Sequence, residues 1–232
     1  MNFITIILLF GSVIAGGAIV EFIKIKKKDN LQLLLTFSGA YLLAVSLLHL
    51  LPELFIHDFN QNIGFYILSG FLLQIILEYF SEGIEHGHGH FHNGKTIPFS
   101  VIISLCLHAL LEGIPLGGHL HHHAHNSLLT GIVLHKLPVS IVLMSLFVES
   151  KISRKKSYFF LLLFALMSPL GVFAGKLFTA LANYHIEIMA IVIGVFLHIS
   201  TTILFESSEN HKFTKQKILI IIVGVLAAIL SV

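Results

Sequence analysis

Long apolar segments separated by short polar links constrain this chain more than any other feature. The chain has 232 residues, of which 56% are hydrophobic and 11% are charged, whereas a soluble domain is about 25% charged. A helix that crosses a bilayer needs about 20 largely apolar residues. We predict eight such segments, at 3–23, 31–57, 63–80, 98–118, 127–148, 158–180, 186–205 and 218–232, of which the last is short. We therefore predict an all-α, polytopic membrane protein whose residues 1–232 form a single transmembrane domain.

The positions of Lys and Arg predict how these eight helices are oriented. Positive charge follows the first apolar segment rather than preceding it, so we interpret that segment as a retained helix and not as a secretory signal. Of the 14 Lys and Arg residues, all except Lys136 and Lys176 lie in the links after the first, third, fifth and seventh segments. Since basic residues accumulate in cytoplasmic loops, both termini are predicted to lie outside.

Two neighbouring apolar segments carry ionisable groups near their middle. His108 and Glu112 are four residues apart, so a helix displaces them by only about 40° and about 6 Å, and they face one direction. His135 lies near the centre of the next segment, which runs antiparallel and therefore places it at a similar depth. Titratable groups at this depth are costly unless they face a cavity or a partner. Imidazole and carboxylate groups suit Zn²⁺, Fe²⁺ or Mn²⁺, and these three residues predict a metal site. A polar pair that locks two helices together is the alternative.

Lys136 follows His135 directly and is a cation beside the predicted cation site. Consecutive residues point about 100° apart on a helix. Two interpretations remain open at this point. The ammonium group can occupy the place of a second metal ion, or it can lock two helices together by pairing with a carboxylate such as Glu112.

Further polar residues lie near the ends of the predicted spans. His49 and Glu53 repeat the four-residue spacing near the outer end of the second span, where they form either a gating pair or a polar helix cap. Pro52 breaks the hydrogen-bond ladder between them, so the helix is expected to end or kink there. His198 and Glu206 lie toward the inner end of the seventh span and can line an exit path. For Glu206, an interfacial carboxylate is the alternative.

Two links are rich in histidine, and clustered imidazoles can chelate Zn²⁺. The link at 81–97 is predicted to lie inside and the link at 119–126 outside. Their histidines are His86, His88, His90, His92, His119, His121, His122, His123 and His125. Each of these links either captures metal transiently or is a solvated spacer.

Small residues and prolines recur within the spans. Pairs of small residues at four-residue spacing favour close packing of helices, and proline interrupts the helical ladder. The small residues are Ser12 and Gly16 in the first span and Gly171 and Gly175 in the sixth. The prolines are Pro115, Pro138 and Pro169, in the fourth, fifth and sixth spans.

At these residues the sequence resembles the ZIP family of divalent-metal transporters. The matching motifs are HLLPE at 49–53, the histidine-rich link after the third span, HALLEGIPLG at 108–117, HK at 135–136, MSPLG at 167–171 and FLHIS at 196–200. The resemblance implies eight helices, outward termini, a transport site of His108, Glu112 and His135, metal movement toward the cytoplasm and frequently a homodimer. Members with a two-metal centre differ from this chain at Ala109, Lys136, Val139 and Ser168. The chain therefore resembles the branch with HK in the fifth span.

These observations together predict an importer of divalent metal in the plasma or inner membrane. Zn²⁺ is the first expectation, with Fe²⁺, Mn²⁺ and Cd²⁺ as alternatives, and transport is expected to proceed by alternating access between the fourth and fifth spans. The predicted partners are metal ions, the lipid bilayer and a second copy of the chain, with no nucleic acid, no catalytic residues and no cofactor. A histidine-box di-iron enzyme of the lipid desaturase or hydroxylase type is one alternative, and a metal sensor or buffer without transport is another.

Overall fold

A computed structural model describes residues 3–23, 28–57, 62–86, 99–118, 122–178, 183–206 and 214–231. Within these ranges the regular structure is entirely helical. The α-helices are α1 Phe3–Ile23, α2 Lys28–Val45, α3 Leu51–His57, α4 Ile63–Ser81, α5 Phe99–Gly117, α6 His122–Glu149, α7 Arg154–Leu177, α8 His185–Glu206 and α9 Lys215–Leu230. The all-α class predicted from the sequence is confirmed for the described residues.

Among the described residues, seven helical stretches are long and apolar enough to cross a membrane, and they coincide with the first seven predicted spans. Helix α9 has 16 residues and is about 24 Å long, which is shorter than the roughly 30 Å hydrocarbon core. The chain is thus a multi-pass membrane protein, and the count of eight spans stays a prediction. Large apolar side chains cover the outer face of α4, as expected for contact with lipid; they include Phe65, Leu68, Leu72 and Ile76.

The second span does not end at Pro52 but changes its helical pitch just before it. A π-helical turn, Ser46–Leu50, joins α2 to α3, and the backbone N–H of Leu51 donates to the carbonyl of Ser46, five residues earlier. Proline has no N–H to donate and crowds the preceding turn. A single wide turn accommodates it while the helix axis continues. The predicted disturbance is therefore present as a π-turn at 46–50.

Close helix packing holds the bundle together, most extensively between α5 and α7 and between α4 and α8. At the first interface, a Cβ added at Gly113 would overlap the carbonyl oxygen of Ser168, and one added at Gly171 would overlap that of Leu110. At the interface of α1 with α6, a Cβ at Gly16 would overlap the side chain of Ser140. Glycine is needed at these positions because the backbones touch, which confirms the packing role predicted for Gly16 and Gly171.

The prolines of the fourth to sixth spans do not interrupt their helices, contrary to expectation. Pro115, Pro138 and Pro169 all lie inside continuous helices. Membrane helices tolerate proline where neighbouring helices and hydroxyl groups satisfy the backbone. Beside Pro169, the hydroxyl of Ser168 donates to the carbonyl of Ala109 at 2.8 Å, which links α7 to α5.

The chain turns back into the bundle where α4 ends. Glu82 and Gly83 both adopt left-handed backbone conformations, with φ of 54° and 71°. A short 3₁₀ turn, Ile84–His86, follows, and the side chains of Ile84 and Glu85 are fully buried. Left-handed backbone is uncommon for a residue such as glutamate. This turn thus brings a carboxylate from the predicted inner link into the protein interior.

The ends of α1 and α7 meet at one side of the bundle. The guanidinium of Arg154, at the start of α7, lies 3.4 Å from the carboxylate of Glu21 near the end of α1. The link after the first span and the link before the sixth therefore share one side, as the distribution of basic residues requires. The placement of the two termini stays a prediction.

Candidate metal-binding site

Three of the predicted site residues converge in the interior of the bundle. Donor atoms of His108, Glu112 and His135 all lie within 4.8 Å of one another. The three side chains are at most 1% exposed. His108 and Glu112 face one direction because they are four residues apart on α5. His135 approaches from α6 at the same level.

The carboxylate of Glu112 divides its two oxygens between two different neighbours. Its Oε1 lies 2.9 Å from Nε2 of His108, and the ring of His135 packs edge-on against that of His108, with centroids 6.0 Å apart. Its Oε2 lies 2.9 Å from Nζ of Lys136. When an imidazole nitrogen and a carboxylate oxygen direct their lone pairs at the same place, a cation at that place stabilises both. This arrangement can bind a cation on the Oε1 side of Glu112.

Lys136 occupies the other side of Glu112. Its Nζ lies 2.9 Å from Oε2 of that carboxylate and 4.8 Å from the centroid of the Phe164 ring, so the buried ammonium contacts both an anion and an aromatic face. The ion pair joins α6 to α5, which is the contact expected of a helix-locking pair. The same ammonium also places a fixed positive charge beside the three donor atoms.

The residues behind His108 were not predicted from the sequence. Nδ1 of His108 lies 3.2 Å from Oε1 of Gln74 on α4. The amide nitrogen of Gln74 donates to the carboxylate of Glu85 in the 3₁₀ turn, and both Gln74 and Glu85 are fully buried. An amide in the middle of an apolar span is a signal that could have identified Gln74. No local signal marks Glu85, because its burial depends on the turn at Glu82 and Gly83.

The three donor atoms fit a small divalent ion after adjustments of about 1 Å or less in their separations. Zn²⁺ binds imidazole nitrogen and carboxylate oxygen at about 2.0–2.2 Å, which places donor atoms about 3.5 Å apart in a tetrahedron. The donor atoms lie within 4.8 Å of one another, so the widest separation must shrink by about 1 Å, whereas the 2.9 Å between Nε2 of His108 and Oε1 of Glu112 must widen. Three protein donors leave a coordination position for water. This set can bind an ion without enclosing it completely.

The predicted outer pair lies at the junction of the second span. His49 lies in the π-turn at 46–50, and its Nδ1 is 3.1 Å from the hydroxyl of Ser127 on α6. Glu53 follows in α3 and is half-buried. The contact of His49 with Ser127 links the π-turn to α6, the helix that also carries His135.

On the predicted inner side, His198 of α8 is paired with a carboxylate of α4. Its Nε2 lies beside an oxygen of Glu78, and its ring packs edge-on against Phe71 at 4.9 Å between centroids. This pair was not predicted from the sequence. Glu206 is the last residue of α8, and its side chain is outside the described part of the structure.

Most histidines of the two rich links fall outside the described side chains. His86 ends the 3₁₀ turn, and His122 and His123 begin α6, but their side chains are not among those described. His125 is half-buried in α6. The remaining predicted link histidines lie outside the described residues and are His88, His90, His92, His119 and His121.

Comparison with known proteins assigns the chain to a family. The family described as ZIP Zinc transporter matches residues 81–231, which is more than half of the chain and includes His108, Glu112 and His135. A search of curated proteins finds no significant match. With the helical architecture and the cluster of three metal-ligating side chains, this match shows that the chain belongs to the ZIP zinc transporter family, a family of membrane transporters of divalent metal ions.

Proposed function

We propose that this protein imports a divalent metal ion, with Zn²⁺ as its first substrate, through a site formed by His108, Glu112 and His135. The single observation that carries the proposal is the convergence of these donor atoms, buried at one level between α5 and α6. An ionisable cluster at membrane depth is costly unless it serves a function. In a chain of a metal-transporter family, the ion in transit is the natural occupant.

One ion occupies this site at a time. Members of the family with two metals place further acidic groups around the site, whereas Lys136 directs its ammonium at the free oxygen of Glu112 here. A cation in that place repels a second metal ion by Coulomb's law. It also neutralises Glu112 whenever the site holds no metal.

The ion enters and leaves through polar residues on either side of the site. His49 and Glu53 would receive it at the outer end of the second span, and His198 with Glu78 would receive it on the way to the cytoplasm. Glu206 and the histidine-rich links would bind it transiently beyond the bundle. Alternating access follows if α5 and α6 expose the site first to one side and then to the other.

The remaining elements of the proposal concern the assembly. The chain forms a single domain at 1–232 with eight spans, both termini outside, in the plasma or inner membrane, and associates as a homodimer. Fe²⁺, Mn²⁺ and Cd²⁺ can compete with Zn²⁺ because imidazole and carboxylate ligands discriminate weakly among these ions.

A histidine-box di-iron enzyme is not supported. Such a site needs many histidines around two irons, whereas the described residues bring together a single group of three or more metal-ligating side chains. The family match is likewise to transporters. No observation favours a second function.

Uptake of Zn²⁺ into proteoliposomes tests the proposal. We expect saturable uptake by the parent protein and its loss in His108→Ala and in Glu112→Ala, because each variant lacks one of three ligands. His185→Ala is the matched control, since His185 is half-buried at the start of α8 and outside the proposed path. Competition by Fe²⁺, Mn²⁺ and Cd²⁺ ranks the substrates. Normal uptake by both site variants would overturn the site, and no uptake by a well-folded parent would overturn the transport function.

A further inference from the structure

Behind the three metal-ligating residues, a row of hydrogen-bonded side chains runs from His108 through Gln74 to Glu85. We propose that Gln74 and Glu85 are positioning residues that hold His108 in the orientation and tautomer needed for metal binding. This inference rests on the proposed function. It adds two residues, from α4 and from the 3₁₀ turn, to a site otherwise built by α5 and α6.

The chemistry of the three groups fixes the direction of every hydrogen bond in the row. An ionised carboxylate only accepts hydrogen bonds, so Glu85 requires the NH₂ end of Gln74 to point toward it. The carbonyl end of Gln74 must then face His108, where Oε1 lies 3.2 Å from Nδ1. A carbonyl oxygen also only accepts, and Nδ1 must therefore carry a proton. The ring of His108 is left with Nε2 as the nitrogen available to a metal.

The position of Nε2 agrees with this assignment. It lies 2.9 Å from Oε1 of Glu112, on the side where His135 also approaches. Because a carboxylate only accepts hydrogen bonds, a proton lies between these two atoms when no metal is bound, and a metal ion would replace that proton. Metal-bound histidines commonly donate their other ring N–H to an acceptor, which fixes the ring and raises its basicity as a ligand. Gln74 is placed to be this acceptor.

Glu85 is present where a carboxylate is difficult to accommodate. Its side chain is fully buried, and its Oε1 has no hydrogen-bond partner among the described residues. Burial of an incompletely satisfied charge costs several kcal/mol. The chain reaches this position through two left-handed residues, Glu82 and Gly83. Glycine adopts this conformation readily, whereas Glu82 does so at a cost in free energy. A buried carboxylate at the end of a costly turn indicates a role that an apolar residue could not fill.

The formal charges around the site give Glu85 a second effect. Glu112 and Lys136 form an ion pair 2.9 Å apart, and their charges cancel. Once a metal ion has replaced the proton on Nε2 of His108, the histidines are neutral, and Glu85 is the source of net negative charge beside the site. An excess negative charge favours a divalent cation over an empty site. Glu85 thus acts on the metal through charge as well as through the orientation of Gln74.

The test measures Zn²⁺ affinity of the purified full-length protein in detergent, by competition with a fluorescent chelator, together with the KM and maximal rate of uptake in proteoliposomes. Gln74→Met keeps the length of the side chain and removes the acceptor, and we expect Zn²⁺ affinity to fall about 10- to 100-fold. Glu85→Gln removes the charge and should also weaken binding. Gln216→Met makes the same chemical change at an exposed residue of α9 and should leave affinity unchanged.

The double variant Gln74→Glu/Glu85→Gln separates positioning from a merely structural role. Gln74→Glu alone places two carboxylates in contact and should weaken the site. In the double variant, the new carboxylate accepts from both His108 and the new amide, and the net charge is that of the parent. We therefore expect recovery of Zn²⁺ affinity to within about threefold of the parent, a non-additive result typical of groups in contact.

The outcomes distinguish this inference from the proposed function. Saturable binding by the parent with unchanged affinity in Gln74→Met would overturn the inference alone. A folded double variant that binds Zn²⁺ no better than the weaker single variant would also overturn the inference. This result alone tests the inference if Gln74→Met fails to fold. Absence of saturable binding by a folded parent would overturn the proposed function and the inference with it.

Discussion

Removal of the buried charge of Lys136 should tighten zinc binding, although the residue contacts a metal-ligating side chain. In Lys136→Met, a neutral side chain of similar length replaces the ammonium that lies 2.9 Å from Oε2 of Glu112. If the ion binds Oε1 of the same carboxylate, it lies about 6 Å from Nζ, as judged from a bond of about 2 Å on the far side of the carboxylate. The two positive charges therefore repel each other in the parent.

The size of this repulsion follows from Coulomb's law. Charges of +2 and +1 about 6 Å apart repel by about 5 kcal/mol at an effective dielectric constant of about 20. Breaking a buried ion pair also costs the metal-free protein about 3–5 kcal/mol, because Glu112 loses its cation. Metal binding restores a positive charge beside that carboxylate, so both effects favour the metal-bound state. Relaxation of the surroundings reduces both, and we set the expected gain in Zn²⁺ affinity at tenfold or more.

Competition with a fluorescent chelator measures this change, and thermal unfolding with and without Zn²⁺ reports the stability of both states. We expect Lys136→Met to melt below the parent without metal and to gain more from added Zn²⁺. Its maximal uptake rate should fall, because a tightly held ion leaves slowly. Lys136→Arg retains the charge and should bind Zn²⁺ within a few-fold of the parent. Unchanged or weaker affinity in Lys136→Met, with unaltered melting of the metal-free protein, would refute the reasoning.

Three further predictions concern packing, the inner path and topology. Gly113→Ala should destabilise the protein by about 1–3 kcal/mol because its Cβ would overlap the Ser168 carbonyl. Gly64→Ala is the control and should not destabilise the protein, because the space around Gly64 is open. Equal melting temperatures of the two variants would contradict the close packing of α5 with α7. His198→Ala should lower the maximal uptake rate several-fold but leave Zn²⁺ affinity at the central site within about twofold, since His198 pairs with Glu78; unchanged transport kinetics would exclude it from the path. Epitope tags at both termini should be accessible to antibody on intact cells, and labelling that requires permeabilisation would contradict the predicted orientation.

The sequence was sufficient for those parts of the site that depend on local geometry. The spacing of His108 and Glu112 fixes one helix face, and antiparallel neighbouring spans place His135 at their level. The same reasoning predicted the first seven apolar helices, because a segment of about 20 apolar residues has few other structures available to it. The disturbance near Pro52 was also predictable, whereas its form as a π-turn depends on how neighbouring helices accommodate the lost hydrogen bond.

Contacts between segments distant in the chain could not be derived in this way. The pairing of His198 with Glu78 depends on which faces of α8 and α4 meet. Close approach of these helices is governed by small residues such as Gly70 and Gly194, whose partners the sequence does not name. Glu85 was missed for a related reason, since its link should be solvated unless the backbone turns back into the bundle. Sequence periodicity describes the faces of single helices, and the site depends on the way several faces meet.

Location of the bound ion tests the central claim most directly. Crystals of the full-length protein grown with Zn²⁺ and measured at the zinc absorption edge would show the ion by its anomalous scattering. We predict a single strong peak within about 2.2 Å of donor atoms of His108, Glu112 and His135, with Lys136 still beside the second oxygen of Glu112. A zinc ion bound elsewhere in the bundle, with these three side chains making contact only with one another, would contradict the account.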